Sequence, residues 1–281
     1  MNYRHGFHAG NFADVFKHAL LARLLVYLTR KDAPFRVIDT HAGEGVYDLA
    51  ADEAERTLEW EGGIGRLADL HGADDETRAL LAPYLDCVGA FGEEGRPALY
   101  PGSPMIAARL MRAQDRAIFC ELRPDAYETL RYRFGRDARV KTIHIDGYTG
   151  LGAYVPPKER RGLVLIDPPF ERTDEFAAMF EAFLAAHAKW PGGVYALWHP
   201  SKDARAERAF LDGFGKAGVK RTLRLSLAVA SGGEGLRRTG LVVVNPPFVF
   251  EQEATKILSF LSARLAQGAG AGFEIERLTG E

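Results

Sequence analysis

The chain has 281 residues, 47% hydrophobic and 26% charged, which suits one large α/β domain or one domain with an insertion. A formal net charge of −2 removes any global electrostatic case for nucleic-acid binding, so such a surface would have to be local. Cys87 and Cys120 lie in apolar contexts and argue against a disulfide framework or a cysteine-ligated metal, and no apolar run reaches membrane-spanning length. With no signal-peptide pattern at the N-terminus, no internal repeat and no low-complexity tract, a cytoplasmic protein is expected.

The first eighteen residues crowd polar, aromatic and basic chemistry where chain ends are usually bland: Tyr3, Arg4, His5, Phe7, His8, Asn11, Asp14, Lys17 and His18. His5, His8 and His18 lack a cysteine or carboxylate set at ligand spacing, so no metal is expected. Asn11 is a candidate N-cap for a helix over 11–30, on which Phe16, Leu20, Leu24 and Leu28 recur every four residues as one buried face. A short strand, Arg36-Val37-Ile38-Asp39, then runs into Thr40-His41-Ala42-Gly43-Glu44-Gly45. The third glycine of a dinucleotide fingerprint is missing, and no Gly-Lys-Ser/Thr follows as in a phosphate loop. Strand, Asp, small residues and Gly-x-Gly instead resemble the first motif of S-adenosylmethionine-dependent methyltransferases.

Residues 50–100 read as a helical insertion subdomain within a single domain spanning 1–281, with helices over 55–70 and 75–90 separated by His71-Gly72. Pro101-Gly102-Ser103-Pro104 re-enters the main fold and starts a helix over 105–112. The second strand, 117–121, ends in Glu121, where an acid accepts hydrogen bonds from ribose hydroxyls. The third, 140–145, ends in Asp146-Gly147, an acceptor for an adenine amine beside a glycine that opens the backbone to a ligand. The fourth is the apolar run 162–166. A fifth over 193–198 leads to a helix over 202–215, a closing antiparallel pair over 222–230 and 240–245, and a last helix over 253–266. Seven strands with helices between them imply an open α/β sheet with ligands at the carboxyl ends of its strands.

The fourth strand stops at Asp167-Pro168-Pro169-Phe170, a grouping suited to a flat base with an exocyclic amine. Asp167 accepts from one N–H of the amine, and Pro168 presents a carbonyl for the other. Two prolines hold that geometry in advance, and Phe170 offers a stacking face. Asn245-Pro246-Pro247-Phe248 repeats the pattern on the last antiparallel strand, where it should lie away from the cofactor's methyl.

The sequence resembles the RlmJ family, the 23S ribosomal RNA adenine-N6 methyltransferases, over essentially its whole length. The likeness rests on the run Tyr3 to Asn11, Asp14 with Lys17-His18, and Asp39-Thr40-His41-Ala42-Gly43. It extends to Tyr100-Pro101-Gly102-Ser103-Pro104, Asp146-Gly147, Asp167-Pro168-Pro169 and Asn245-Pro246-Pro247. It implies a Rossmann-like class I methyltransferase fold, a seven-stranded mixed sheet with the helical insertion. It implies S-adenosyl-L-methionine held by His18, His41, Ser103, Glu121, Asp146 and Gly147, with Asp167 bordering it. Asp167 would be catalytic, with Pro168 and Phe170 beside it, and Tyr3 would contact substrate. The family often carries Tyr where this chain has Phe170, so stacking is expected to survive without the hydroxyl.

Residues 1–10 read as a flap that orders over the cleft when RNA arrives, with Tyr3, Arg4 and His5 on the substrate and Lys17 on a phosphate. Lys158, Arg160, Arg161 and the basic run 131–141 are further phosphate candidates. The partner expected is 23S ribosomal RNA, bound by a monomer with no membrane and no protein partner. A DNA adenine methyltransferase and a non-catalytic nucleic-acid-binding protein remain open alternatives at this stage.

Overall fold

The computed structural model describes residues 4–92 and 95–280. Helix α1, Phe12–Thr29, is capped by Asn11, whose side chain accepts from the Asp14 N–H. The expected stripe of Phe16, Leu20, Leu24 and Leu28 is buried, but so are Val15, Ala19, Ala22 and Leu25 on its other faces. The helix is enclosed rather than one-sided, because helices α3, Asp75–Val88, α4, Ser103–Leu110, and α9, Phe250–Arg264, all pack on it.

The strands of the main sheet run β1, Arg36–Asp39; β4, Arg116–Glu121; β5, Val140–His144; β6, Gly162–Ile166; β7, Val194–Pro200; β8, Thr222–Ala228; β9, Arg238–Val244; and β10, Gly272–Thr279. Their order is β10-β8-β9-β7-β6-β1-β4-β5. From β7 to β5 neighbours are parallel, whereas β9 runs antiparallel to β7, and β8 and β10 extend the antiparallel edge. Alternation along β6 divides the core. Leu163 and Leu165 join the cluster under α1 and α9, while Val164 and Ile166 join the one under α7, Glu175–Lys189, and α8, Ala204–Lys216. Both faces of the parallel strands are thus covered, which explains why β6 reads as an unbroken apolar run.

Three departures from the sequence reading stand out. The described sheet has eight strands, not seven, because β10 pairs on β8 after α9. A separate pair, β2, Val46–Asp48, and β3, Leu99–Pro101, closes the neck of the excursion between β1 and β4. The helix expected over 55–70 is instead α2, Asp52–Thr57, followed by 3-10 turns at Glu59–Gly62 and Ile64–Leu67. Leu58 has a φ of 51°, which ends α2, and a Cβ on Gly63 would lie 2.0 Å from the Gly10 carbonyl oxygen. The excursion therefore bends to meet the N-terminal segment rather than continuing as a helix. Among the described residues no helix is long and apolar enough to cross a membrane.

Candidate active site

The carboxyl ends of β1, β4, β5, β6 and β7 face one cavity of about 880 Å³. Its position on either side of β1, where the chain winds first one way and then the other, is the crevice expected of an open α/β sheet.

One half is built of fixed acceptors. After β1 the turn 40–45 passes over the end of β4, and the Gly43 and Arg123 N–H groups donate to the two oxygens of Glu121 at 2.8 and 2.7 Å. The Glu121 carboxylate is therefore oriented while still lining the cavity. Asp146 caps α6, Gly147–Tyr154, accepting through Oδ1 from the Thr149 N–H and hydroxyl at 2.8 and 2.9 Å. A Cβ on Gly147 would lie 2.3 Å from the Thr40 carbonyl oxygen and 2.7 Å from His41 Cε1, so the loops after β1 and β5 close to a distance that admits only glycine.

The histidines of this half are neutral at pH 7. Burial pushes His18 down to about 3 and His41 down to about 4. His18 Nδ1 lies 2.8 Å from the Tyr100 hydroxyl, which in turn lies 3.0 Å from that of Tyr84. Burial pushes the Asp39 carboxyl up to about 7, while its hydrogen bond with Ser103 works the other way.

These groups fit S-adenosylmethionine. The ribose hydroxyls, the adenine amine and the methionine ammonium are donors, and the half-cavity offers acceptors fixed beforehand. Neutral imidazoles at His18 and His41 place no positive charge against a sulfonium.

The other half is aromatic. Phe170 follows Asp167-Pro168-Pro169 with a φ of +52°, an uncommon state for an aromatic residue. Its ring meets Phe176 edge-on at 4.9 Å and Trp198 at 5.9 Å. Between the halves, Lys17 Nζ donates to Asp167 Oδ2 at 2.6 Å, lies 3.0 Å from Asp14 Oδ1, and sits 5.5 Å from the centre of the Trp198 ring. Burial opposes the lysine's charge, but Asp14 and Asp167 together outweigh it and raise its pKa. Burial likewise works against the Asp14 carboxylate, yet His5, Lys17 and His18 hold it well below its usual range.

The cavity gathers His5, Lys17, His18, His41, Ser103, Glu121, Asp146, Gly147, Asp167, Pro168 and Phe170 along its walls. Other expectations need correction. Lys17 is 5% exposed and lies between two carboxylates, so it is not turned toward a surface phosphate. Arg4 does not line the cavity and pairs with Glu53 at 2.9 Å. Tyr3 lies outside the described residues. From residue 4 the expected flap is a docked turn: His5 Nε2 lies 2.8 Å from Asp14 Oδ2, the Thr57 hydroxyl donates to the Phe7 carbonyl at 2.5 Å, and the Ile64 N–H donates to the Gly10 carbonyl at 2.8 Å.

Arg161 binds the Ala33 and Leu28 carbonyls at the start of β6, the end opposite Asp167. Arg131 and Arg139 pair with Glu128 and Asp137. Trp198, Phe176 and the role of Asp14 escaped the sequence reading. The spacing of Asp14 and Lys17, three apart on one helix, was a usable signal for the last.

A family model described as "Ribosomal RNA large subunit methyltransferase D, RlmJ" matches residues 32–277. The chain is 38% identical over 274 residues to Ribosomal RNA large subunit methyltransferase J of Escherichia coli (strain K12), covering 97% of this chain and 96% of that one. To the protein of the same name from Haemophilus influenzae it is 37% identical over 284 residues, with all of both chains covered. Among solved structures it matches protein LPL1258 from Legionella pneumophila with a TM-score of 0.87 at 34% identity, over 96% of this chain and 98% of that one.

Proposed function

The chain belongs to the RlmJ family of ribosomal RNA large subunit methyltransferases, and from that premise we propose that it methylates the N6 amine of an adenine in 23S ribosomal RNA. The observation that carries the adenine reading is the position of Asp167, between the fixed acceptors of one half-cavity and the aromatic wall of the other.

S-adenosylmethionine, when bound, supplies a methyl group on a sulfonium centre. Glu121, Asp146 and the turn 40–45 would hold it, with His18, His41 and Ser103 along the same wall. Asp167 Oδ2 is engaged by Lys17, which restrains rotation of the carboxylate, and Oδ1 makes no hydrogen bond among the described residues. Oδ1 and the Pro168 carbonyl then accept the two N–H groups of the amine. Adenine N6 is a poor nucleophile because its lone pair is delocalised into the ring. Accepting both hydrogens favours a more pyramidal nitrogen with that pair available. What remains is in-line positioning, which the rigid proline pair and the Phe170–Phe176–Trp198 wall serve, and loss of one N6 proton on methyl transfer, for which Asp167 Oδ1 is the base already on the amine. A base inside a duplex would first have to be extruded, at a cost of a few kcal/mol, while an unpaired one enters directly.

On this reading the enzyme works in the cytoplasm as a monomer and needs no protein partner. The test is methyl transfer from labelled S-adenosylmethionine to total RNA from a strain lacking the gene. The expected product is N6-methyladenosine in 23S ribosomal RNA. Label on DNA but not RNA, or on a different base, would overturn the proposal.

A further inference from the structure

With a net charge of −2 the chain exerts no global pull on RNA, so phosphate binding depends on individual cations near the cavity. Most of those are already engaged. Lys17 bridges Asp14 and Asp167, Arg123 pairs with Asp125, and Arg172 pairs with Asp174. Lys202 differs. It is exposed, lines the cavity just beyond Trp198 and Pro200, and makes no ion pair or hydrogen bond among the described residues.

The backbone that carries Lys202 is pinned on both sides. The Ser201 N–H donates to the Arg238 carbonyl at 3.0 Å, and the Ser201 hydroxyl donates to Glu207. Asp203 caps α8 by accepting from the Arg205 and Ala206 N–H groups, both at 3.0 Å. Glu207 is buried and receives Arg224 at 2.9 Å. Lys202 shares the wall of this one cavity with His8 and with Asp167. It stands on the aromatic half, away from Glu121 and Asp146.

We propose that Lys202 binds a backbone phosphate beside the target nucleotide, and that Ser201, Glu207 and Arg224 are positioning residues for it. The inference rests on the reading of the protein as an RNA methyltransferase and adds a contact outside its base pocket. A single phosphate contact contributes affinity without sequence preference and makes it salt-dependent.

The experiment is steady-state methylation of ribosomal RNA by the wild type, Lys202→Ala, Lys202→Arg and Ser201→Ala over a series of salt concentrations. Lys202→Ala should raise KM for RNA about tenfold and lower the slope of log affinity against log salt by about 0.7–1. Its kcat at saturating RNA and its cofactor affinity should stay within about twofold, which excludes damage to the fold. Lys202→Arg should restore most of the affinity, and Ser201→Ala should shift KM the same way by less. An unchanged KM and salt slope in Lys202→Ala would overturn the inference, as would a loss confined to kcat. A wild type that methylates no RNA in the same assay would instead overturn the functional reading itself.

Discussion

The motifs Asp167-Pro168-Pro169-Phe170 and Asn245-Pro246-Pro247-Phe248 share a pattern but follow strands of opposite direction, two places apart in the sheet. β6 runs parallel to β1 and delivers Asp167 to the cavity. β9 runs antiparallel to β7, so Asn245 emerges at the far edge. There its side-chain amide donates to the Pro191 and Gly193 carbonyls, each at 2.8 Å, tying down the approach to β7.

The backbone separates the two as well. In the second motif the positive φ, 55°, falls on Asn245, a residue type that tolerates it. In the first it falls on Phe170, whose ring forms the wall beside Asp167. Strand direction decides which copy of the shared pattern reaches the cavity.

Paired substitutions put that comparison to the test. The largest contrast should come from Asp167→Ala and Asn245→Ala. Removing the Asp167 carboxylate should lower kcat by about 10²–10⁴-fold while cofactor affinity, read by calorimetry, stays within about twofold. Removing the Asn245 amide should leave kcat in place but cost roughly 1–3 kcal/mol of stability in denaturant melts, because two carbonyls lose their donor. Equal kinetic damage from both would end the distinction.

Next come the two phenylalanines. Phe170→Ala should raise KM for RNA by about 10–100-fold, the equivalent of roughly 1–3 kcal/mol of base stacking. Phe248 is 82% exposed, and its replacement by Ala should change neither activity nor stability by more than about 0.5 kcal/mol.

The pH dependence of stability should also follow the cavity end. His18 and His41 have folded pKa values, about 3 and about 4, below the ordinary value of 6.5. The unfolded chain therefore binds more protons below pH 6.5, and the stability these groups hold above that pH is lost as pH falls toward 4. Asp39 acts with the opposite sign. Its folded pKa of about 7 lies above its ordinary 3.8, so its contribution is greatest below pH 3.8 and declines as pH rises to about 7. Thermal melts between pH 4 and 6.5 should show a shallower acid loss in His41→Gln than in the wild type. Asn245→Ala, which touches no titrating group, should keep the wild-type slope.

Much of this site could be read from the chain because strands signal their own ends. Five apolar residues running into Asp-Pro-Pro located β6, and the acids at the ends of β4 and β5 marked Glu121 and Asp146. What could not be read depended on distant partners. Lys17 reads as a cation in the early turns of a helix, and its burial follows from Asp167, 150 residues later, standing against it. β10 alternates Phe273 and Ile275 with Glu274 and Glu276 before Arg277 breaks the pattern, and that weak alternation becomes a strand through pairing with β8. The break in the expected 55–70 helix is local at Leu58, but its purpose, the contact of Gly63 with Gly10, is tertiary.

The central claim is that the Asp167 carboxylate accepts a hydrogen bond from the exocyclic amine of the target adenine. It is tested most directly by a double-mutant cycle between protein and RNA. Binding of the wild type and of Asp167→Ala is measured against RNA carrying adenine, or purine without the exocyclic amine, at the methylated position. The wild type should lose about 10–100-fold in affinity when the amine is removed, as expected when a hydrogen bond to a charged group is lost, whereas Asp167→Ala should lose only about 2–10-fold, the share of the neutral bond to the Pro168 carbonyl. The same loss in both proteins would mean that the amine is held elsewhere and would contradict the account.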